Sequence, residues 1–184
     1  MEIIATSIPD VKLIKPARHG DHRGFFSETY NRDLLAKHGI DVSFMQDNHS
    51  LTERKGTLRG LHFQSPPFAQ TKLVRVVRGA VLDVVVDLRE RSPTFGQHVK
   101  VELSAENWQQ ILVPAGFAHG FLTLVDGVEV TYKVDAPYSA RHDSGIRWND
   151  PDLGIDWPVT AEDVILSAKD ERQPSFADRL ACFA

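Results

Sequence analysis

The feature that most constrains this chain is a stretch from about residue 58 to 135 in which short apolar runs alternate with Gly, Pro or polar breaks. The runs read GLHFQ, TKLVRVVRG, AVLDVVVDLR, HVKVELS, QQILVPAG, HGFLTLVDG and VEVTYKV. Runs of this length, rich in β-branched residues and bounded by turn formers, read as strands of one antiparallel assembly. Period-two spacing agrees. Lys72, Val74 and Val76 share a face against Leu73, Arg75 and Val77, and Leu82, Val84, Val86 and Leu88 oppose Asp83, Val85, Asp87 and Arg89. Helical signals are confined to NRDLLAKHG, where Asn31 or Asp33 can cap and Gly39 can stop, and to SFADRLACF near the C-terminus. The expected fold is all-β, a barrel or sandwich of short strands with a few short peripheral helices, in one domain over residues 1–184.

Composition narrows the function classes. With 184 residues and 42% hydrophobic content, the chain can bury a substantial core without disulfide or metal staples. A net charge of -4 supplies no general attraction to nucleic-acid phosphates, so no DNA or RNA partner is expected. The single cysteine, Cys182, has no partner within the chain, which points to a reducing compartment. The opening MEIIATSIPDVKLIKP has no basic-then-apolar leader pattern, and no stretch approaches the roughly 20 apolar residues of a membrane helix. A soluble cytoplasmic protein without membrane contact is expected.

Pro114-Ala-Gly-Phe-Ala-His119 has the pattern P-x-G-x-x-H and resembles the second histidine motif of cupins, small double-stranded β-helix (jelly-roll) barrels. A tight turn there would deliver His119 to the barrel mouth, although a turn followed by a buried, hydrogen-bonded histidine fits the same residues. Metal-binding cupins pair this motif with an upstream H-x-H and a following Glu. Here the upstream position reads His62-Phe63-Gln64, and no Glu follows before Glu90. A neutral glutamine is a poor replacement for imidazole, so no metal site is expected and His62 is left free to move protons.

Four clusters carry the remaining information: Asp21-His22-Arg23-Gly24-Phe25-Phe26-Ser27-Glu28, Gln46-Asp47-Asn48-His49-Ser50, Gly56-Thr57-Leu58-Arg59-Gly60-Leu61-His62-Phe63-Gln64, and Gln70-Thr71-Lys72-Leu73-Val74-Arg75. With PAGFAHGF, Tyr132, Tyr138 and the tail GIRWNDPDLGIDWP…LSAKD, they resemble the dTDP-4-keto-6-deoxyglucose 3,5-epimerase family from about residue 3 to 174. RGLHFQ and the WNDP…GIDWP pair are the most specific of these motifs. The resemblance implies a cupin-type barrel that is homodimeric and cofactor-free. It also implies conversion of dTDP-4-dehydro-6-deoxyglucose to dTDP-4-dehydrorhamnose on the route to rhamnose. A mono-epimerase of another deoxysugar pathway, a non-catalytic nucleotide-sugar binder and a metal-dependent cupin oxygenase remain as competing readings.

A ketone acidifies the hydrogens on its neighbouring carbons, so epimerisation there needs a base on one face, a stabiliser for the enolate oxygen and an acid on the other face. Histidine suits the base because its ordinary pKa of about 6.5 lies near working pH. His62 is the candidate, and the resemblance pairs it with Asp170 of the LSAKD motif. Lys72, on the Val74 and Val76 face, would place an ammonium in an apolar interior, where it needs an anion. The resemblance makes that anion the enolate, and a sheet-rim lysine is the plainer reading. Tyr132 shares its face with Val130 and Val134, as an inward acid or an ordinary core residue. For the nucleotide, Arg23 and Arg59 can fork onto phosphate, with Glu28, Gln46, Asp47 and Asn48 available to sugar and base. By resemblance Tyr138 stacks on thymine, with Phe26 a weaker candidate, and His119, Asp143 and Lys169 contact ligand. At position 143 a longer acid is common in the family. The N-terminal strands are expected to cross to a second copy, so that Arg23 and Glu28 serve the partner's pocket.

One spacing resists an ideal strand. Arg59 and His62 are three apart and would face opposite sides unless a bulge intervenes, and Gly60 is the residue to host it.

Overall fold

The computed structural model describes residues 1–184, and its strands follow the apolar runs closely. In chain order they are β1 (Glu2–Ala5), β2 (Lys12–Lys15), β3 (His19–Asp21), β4 (Gly24–Phe26), β5 (Gln46–Thr52), β6 (Leu58–Gln64) and β7 (Lys72–Arg78). There follow β8 (Ala80–Asp87), β9 (His98–Ser104), β10 (Gln110–Val113), β11 (Phe117–Thr123), β12 (Val128–Val134) and β13 (Asp143–Gly145). A six-stranded sheet has the order β1-β2-β10-β7-β12-β5, and a five-stranded sheet the order β13-β6-β11-β8-β9. All the strand pairings are antiparallel, and consecutive strands often lie in opposite sheets, which makes this the expected jelly roll.

The alternation read from the sequence sorts side chains between layers. Val74 and Val76 of β7, Val81 and Val85 of β8, Phe117 and Phe121 of β11 and Val128 and Val130 of β12 form the core between the two sheets. Leu58, Leu61, Phe63, Val84, Val86 and Leu122 point away from that core. They are covered by Ile146, Trp148, Leu153 and Trp157 from the WNDP…GIDWP tail. The outer face of the six-stranded sheet packs Ile14, Leu73 and Leu112 against Leu35 and Ile40. Leu35 lies on the single α-helix, α1 (Arg32–Lys37), whose first turn is capped by Asn31 Oδ1 accepting from Leu34 N at 3.0 Å. Gly39, with φ 77°, ends that helix as expected.

The second expected helix, SFADRLACF, does not form; the tail holds only a 3-10 turn over Asp170–Arg172. A helix would have presented Phe176, Leu180 and Phe183 on one stripe. Instead Phe176, Cys182 and Phe183 pack onto the outer core while Leu180 is 51% exposed. The backbone is tied to the body by Arg147 N donating to Pro174 O at 2.8 Å and Glu90 N donating to Phe183 O at 2.8 Å. Tertiary anchoring of three apolar side chains from a path of bends and turns outweighs a short helix with few internal bonds.

The bulge expected at Gly60 is present. On β11, His119 pairs with His62 and Phe121 with Arg59, so three steps on β6 match two on its neighbour. Gly60 has φ 139°, and a Cβ placed on it would lie 2.5 Å from the Cα of Gly120, which only glycine avoids. Leu58 and Leu61 consequently both face the outer core, and Arg59 and His62 both face the inner side.

Candidate active site

The inward faces of β6, β7, β11 and β12 leave a cavity of about 250 Å³ at one end of the barrel, lined by Arg59, His62, Lys72, His119 and Tyr132. Tyr138, Asp143 and Lys169 close its mouth, and Ser50 and Gln70 complete its polar wall. The histidine and the tyrosine come from opposite sheets.

His62 is oriented from behind. Its Nε2 lies 2.5 Å from Asp170 Oδ1, and Asp170 Oδ2 accepts from Ser167 Oγ at 2.9 Å. Burial opposes a charge on Asp170, but the hydrogen bond and charge of His62, with the Ser167 hydroxyl, outweigh it and hold the carboxyl below its usual range. A carboxylate accepts at Nε2–H, so Nδ1 is the ring nitrogen left to act as base. Lys72 is different. Its ammonium is sensed by Asp143 and Asp83 only through space, and burial pulls it down to about 8. Such a cation, held without a hydrogen-bonded anion, is poised for a negative charge that develops elsewhere. Tyr132 packs against the inter-sheet core, and burial pushes its phenol above its usual range, so it is a protonated acid at neutral pH.

Around this centre, Arg59 Nε donates to Thr52 Oγ1 at 3.0 Å. Tyr138 Oη donates to Asp143 Oδ2 at 3.0 Å, and Lys169 Nζ reaches the same oxygen at 2.5 Å. Gln64, in the place of a cupin metal ligand, is occupied otherwise. Its Nε2 donates to Phe68 O and Pro137 O, and its Oε1 accepts from Ser139 N, clamping the two loops at the pocket mouth. No three His, Cys, Asp or Glu side chains converge on a common point.

Residues 5–178 match the model of a family described as dTDP-4-dehydrorhamnose 3,5-epimerase. The chain belongs to that family. A relative of that name from Sinorhizobium fredii is 54% identical over 94% of this chain and 88% of its own. The crystal structure of the Bacillus anthracis enzyme with TDP and pyrophosphate bound is 55% identical, with a TM-score of 0.92 over 95% of this chain and 98% of that one. The Legionella pneumophila epimerase, solved in complex with dTDP-4-keto-L-rhamnose, is 46% identical, with a TM-score of 0.90 over 95% of this chain and 92% of that one.

In this family member the residues named from sequence fall into two groups. His62, Lys72, Tyr132, Asp170, Arg59, His119, Tyr138, Asp143 and Lys169 converge on the cavity or, for Asp170, directly behind it. Gln46 and Asn48 share the face of β5 that carries Ser50, yet neither lines the cavity. Asp47 alternates to the other face and pairs with Lys133 at 2.7 Å; with Asn48 it borders a second cavity of about 320 Å³ that shares Tyr132 with the first. Arg23, Phe26 and Glu28 lie outside both cavities. Arg23 and Phe26 belong to the exposed β3–β4 ribbon, where Arg23 grips only its neighbour Asp21, at 2.6 Å, and Phe25 and Phe26 are 54% and 71% exposed. Glu28 accepts from Asn31 Nδ2 at 3.1 Å.

Sequence reasoning missed one member of the site. Asp83 Oδ2 lies 2.8 Å from His119 Nε2, so His119 has a buried carboxylate behind it, as His62 does. The signal was only partial: Asp83 stands on the inward face of β8 between Val81 and Val85, but Asp87 shares that phase.

Proposed function

We propose that this chain inverts C3 and C5 of dTDP-4-dehydro-6-deoxyglucose to give dTDP-4-dehydrorhamnose, by metal-independent proton transfer through an enolate. The observation that carries this reading is a base and an acid on opposite walls of one cavity: His62, held by Asp170, faces Tyr132 across the space that Lys72 borders. Nδ1 of His62 removes the proton from the carbon beside the ketone, and the C–H electrons pass into an enolate whose oxygen is met by the Lys72 ammonium. Tyr132 delivers its phenolic proton to the opposite face of that carbon and is left as phenolate. Return of the His62 proton to Tyr132, by way of solvent, resets the pair for the second carbon. The diphosphate is assigned to Arg59 and, from a second copy, Arg23. Tyr138 is assigned to the thymine ring, with Asp143, Lys169, His119, Gln46, Asp47, Asn48, Glu28 and Phe26 as further contacts.

We also read the protein as a cytoplasmic homodimer in which the β3–β4 ribbon docks on the neighbour. Two exposed phenylalanines and an arginine without a partner beyond its own turn support that reading.

Incubation of the purified protein with dTDP-4-dehydro-6-deoxyglucose in deuterated water tests the function. Proton NMR should show label at both carbons and a rhamno-configured product, and His62→Ala should incorporate none. Label at one carbon only identifies a mono-epimerase, and tight binding without label a nucleotide-sugar binder.

A further inference from the structure

Strand β8 sends two aspartates inward, and they are treated very differently. Asp83 and Asp87 are both 0% exposed. Asp87 is fully engaged: Oδ1 accepts from Arg89 N and Nε at 3.0 and 2.9 Å, and Oδ2 from Arg89 Nη2, Ser92 Oγ and Thr94 Oγ1 at 2.8, 2.6 and 2.7 Å. Asp83 has only His119 Nε2, and its Oδ1 is buried with no hydrogen-bond partner at all. A buried carboxylate costs several kcal/mol unless it is paired, and an apolar residue in its place would pack well among Val81, Val85 and Phe121. Asp87 is therefore explained by its own network. Asp83 is not.

Two groups near Asp83 need what it supplies. His119 on β11 is the direct cross-strand neighbour of His62 on β6, so both rings line the cavity side by side. Lys72 on β7 has no bonded counter-ion, and Asp83 is one of the two carboxylates whose charge stabilises it, Asp143 being the other. Lys169 opposes them, and Arg59, His62 with Asp170 behind it, His119, Tyr132 and Tyr138 are the other titratable or charged groups lining the pocket or bonded directly behind it.

We propose that Asp83 is a positioning residue of this site, holding His119 as the Nε2–H tautomer with Nδ1 left to accept from a sugar hydroxyl, and supplying the interior negative charge that keeps Lys72 cationic for the enolate. The inference rests on the epimerase reading and deepens it. It gives the site two histidines, each fixed through Nε2 by a buried aspartate, with different tasks: Asp170 acts through the base, and Asp83 acts through a ligand-orienting imidazole and through the electrophilic ammonium. Asp83 itself, enclosed by the core, touches no substrate.

Asp83→Asn is the discriminating variant, because the amide oxygen can still accept from Nε2–H while the charge is gone. Loss of that charge favours neutral Lys72, so the alkaline limb of kcat/KM should move to lower pH than in the wild-type protein, with kcat falling more than KM changes. The melting temperature should hold or rise, since an under-satisfied buried charge has been removed. A limb that stays in place, or a drop in melting temperature with unchanged pH dependence, overturns the proposal and leaves Asp83 a structural residue. Nitrogen-15 NMR of histidine-labelled wild-type protein supplies a test without turnover: His119 should show a protonated Nε2 and a pyridine-like Nδ1, and the reverse pattern overturns the tautomer assignment. Failure of the wild-type protein to exchange deuterium would sink the epimerase reading instead, so the two failures are distinguishable.

Discussion

At the scale of single residues, the site works by giving like side chains unlike surroundings. Lys72 is an ordinary lysine moved into an interior where burial lowers its pKa to about 8, against the pull of Asp143 and Asp83. On the proposed mechanism its charged form meets the enolate, so kcat/KM should fall above that pH as the ammonium deprotonates. A pH profile extended to the alkaline side checks this, and Lys72→Arg, whose guanidinium stays protonated, should flatten the limb even if the rate is lower. Tyr132 is moved in the opposite sense, its phenol kept protonated by burial. His62 and Lys72 were legible as candidates from residue type and strand pattern, with the family resemblance supplying their roles. The distinction between Asp83 and Asp87 was not, since both sit at the same phase of one strand. Only the side chains that gather around each reveal which is satisfied.

At the scale of elements, the bulge in β6 sets the direction of two site residues at once. Period-two logic puts Arg59 and His62 on opposite faces, and the extra residue at Gly60 brings both inward. Gly60→Ala would place a methyl group 2.5 Å from the Gly120 Cα on backbone of unfavourable φ. We expect it to cost about 2–4 kcal/mol of stability, read by denaturant unfolding, and to depress activity further than the stability loss explains because Arg59 and His62 lose their common face. The same scale explains the missing C-terminal helix. SFADRLACF has a helical stripe in its residue order, but local order proposes and packing disposes: Phe176, Cys182 and Phe183 reach the outer core from a non-helical path of bends and turns. By contrast the helix after Asn31 was readable because its cap, its buried Leu35 and its terminating Gly39 all agree.

At the scale of the whole molecule, acid stability and assembly are the open consequences. Burial works against Asp87, but Arg89, Ser92, Thr94 and the Arg89 amide together hold its pKa at about 2. A carboxyl depressed in the folded state stabilises fully above its unfolded value and loses that contribution as pH falls through the folded one. Asp87 should therefore contribute about 2 kcal/mol at neutral pH that disappears between roughly pH 4 and 2, and Asp87→Asn should flatten the fall in urea midpoint over that range. Assembly can be tested by complementation. If Arg23 of one copy serves the pocket of another, Arg23→Ala and His62→Ala should each be inactive alone. Mixed dimers should then recover up to about a quarter of wild-type activity, since half the population pairs unlike chains and each such dimer has one intact site. No recovery on mixing, with native mass spectrometry of isotope-labelled chains showing exchange, would place the ribbon on its own pocket.

The order of residues determined the strands, the layer each side chain enters, the bulge and the candidate base, because alternation, glycine and turn chemistry act over a few neighbouring positions. Closure of the two sheets decided the rest. Asp170 meets His62 across 108 positions and Asp83 meets His119 across 36, pairings that depend on which strands become neighbours and how the tail is laid over them. Family resemblance anticipated the first of these. The second came only from the tertiary structure, because whether a buried carboxylate is satisfied depends on every element that packs around it.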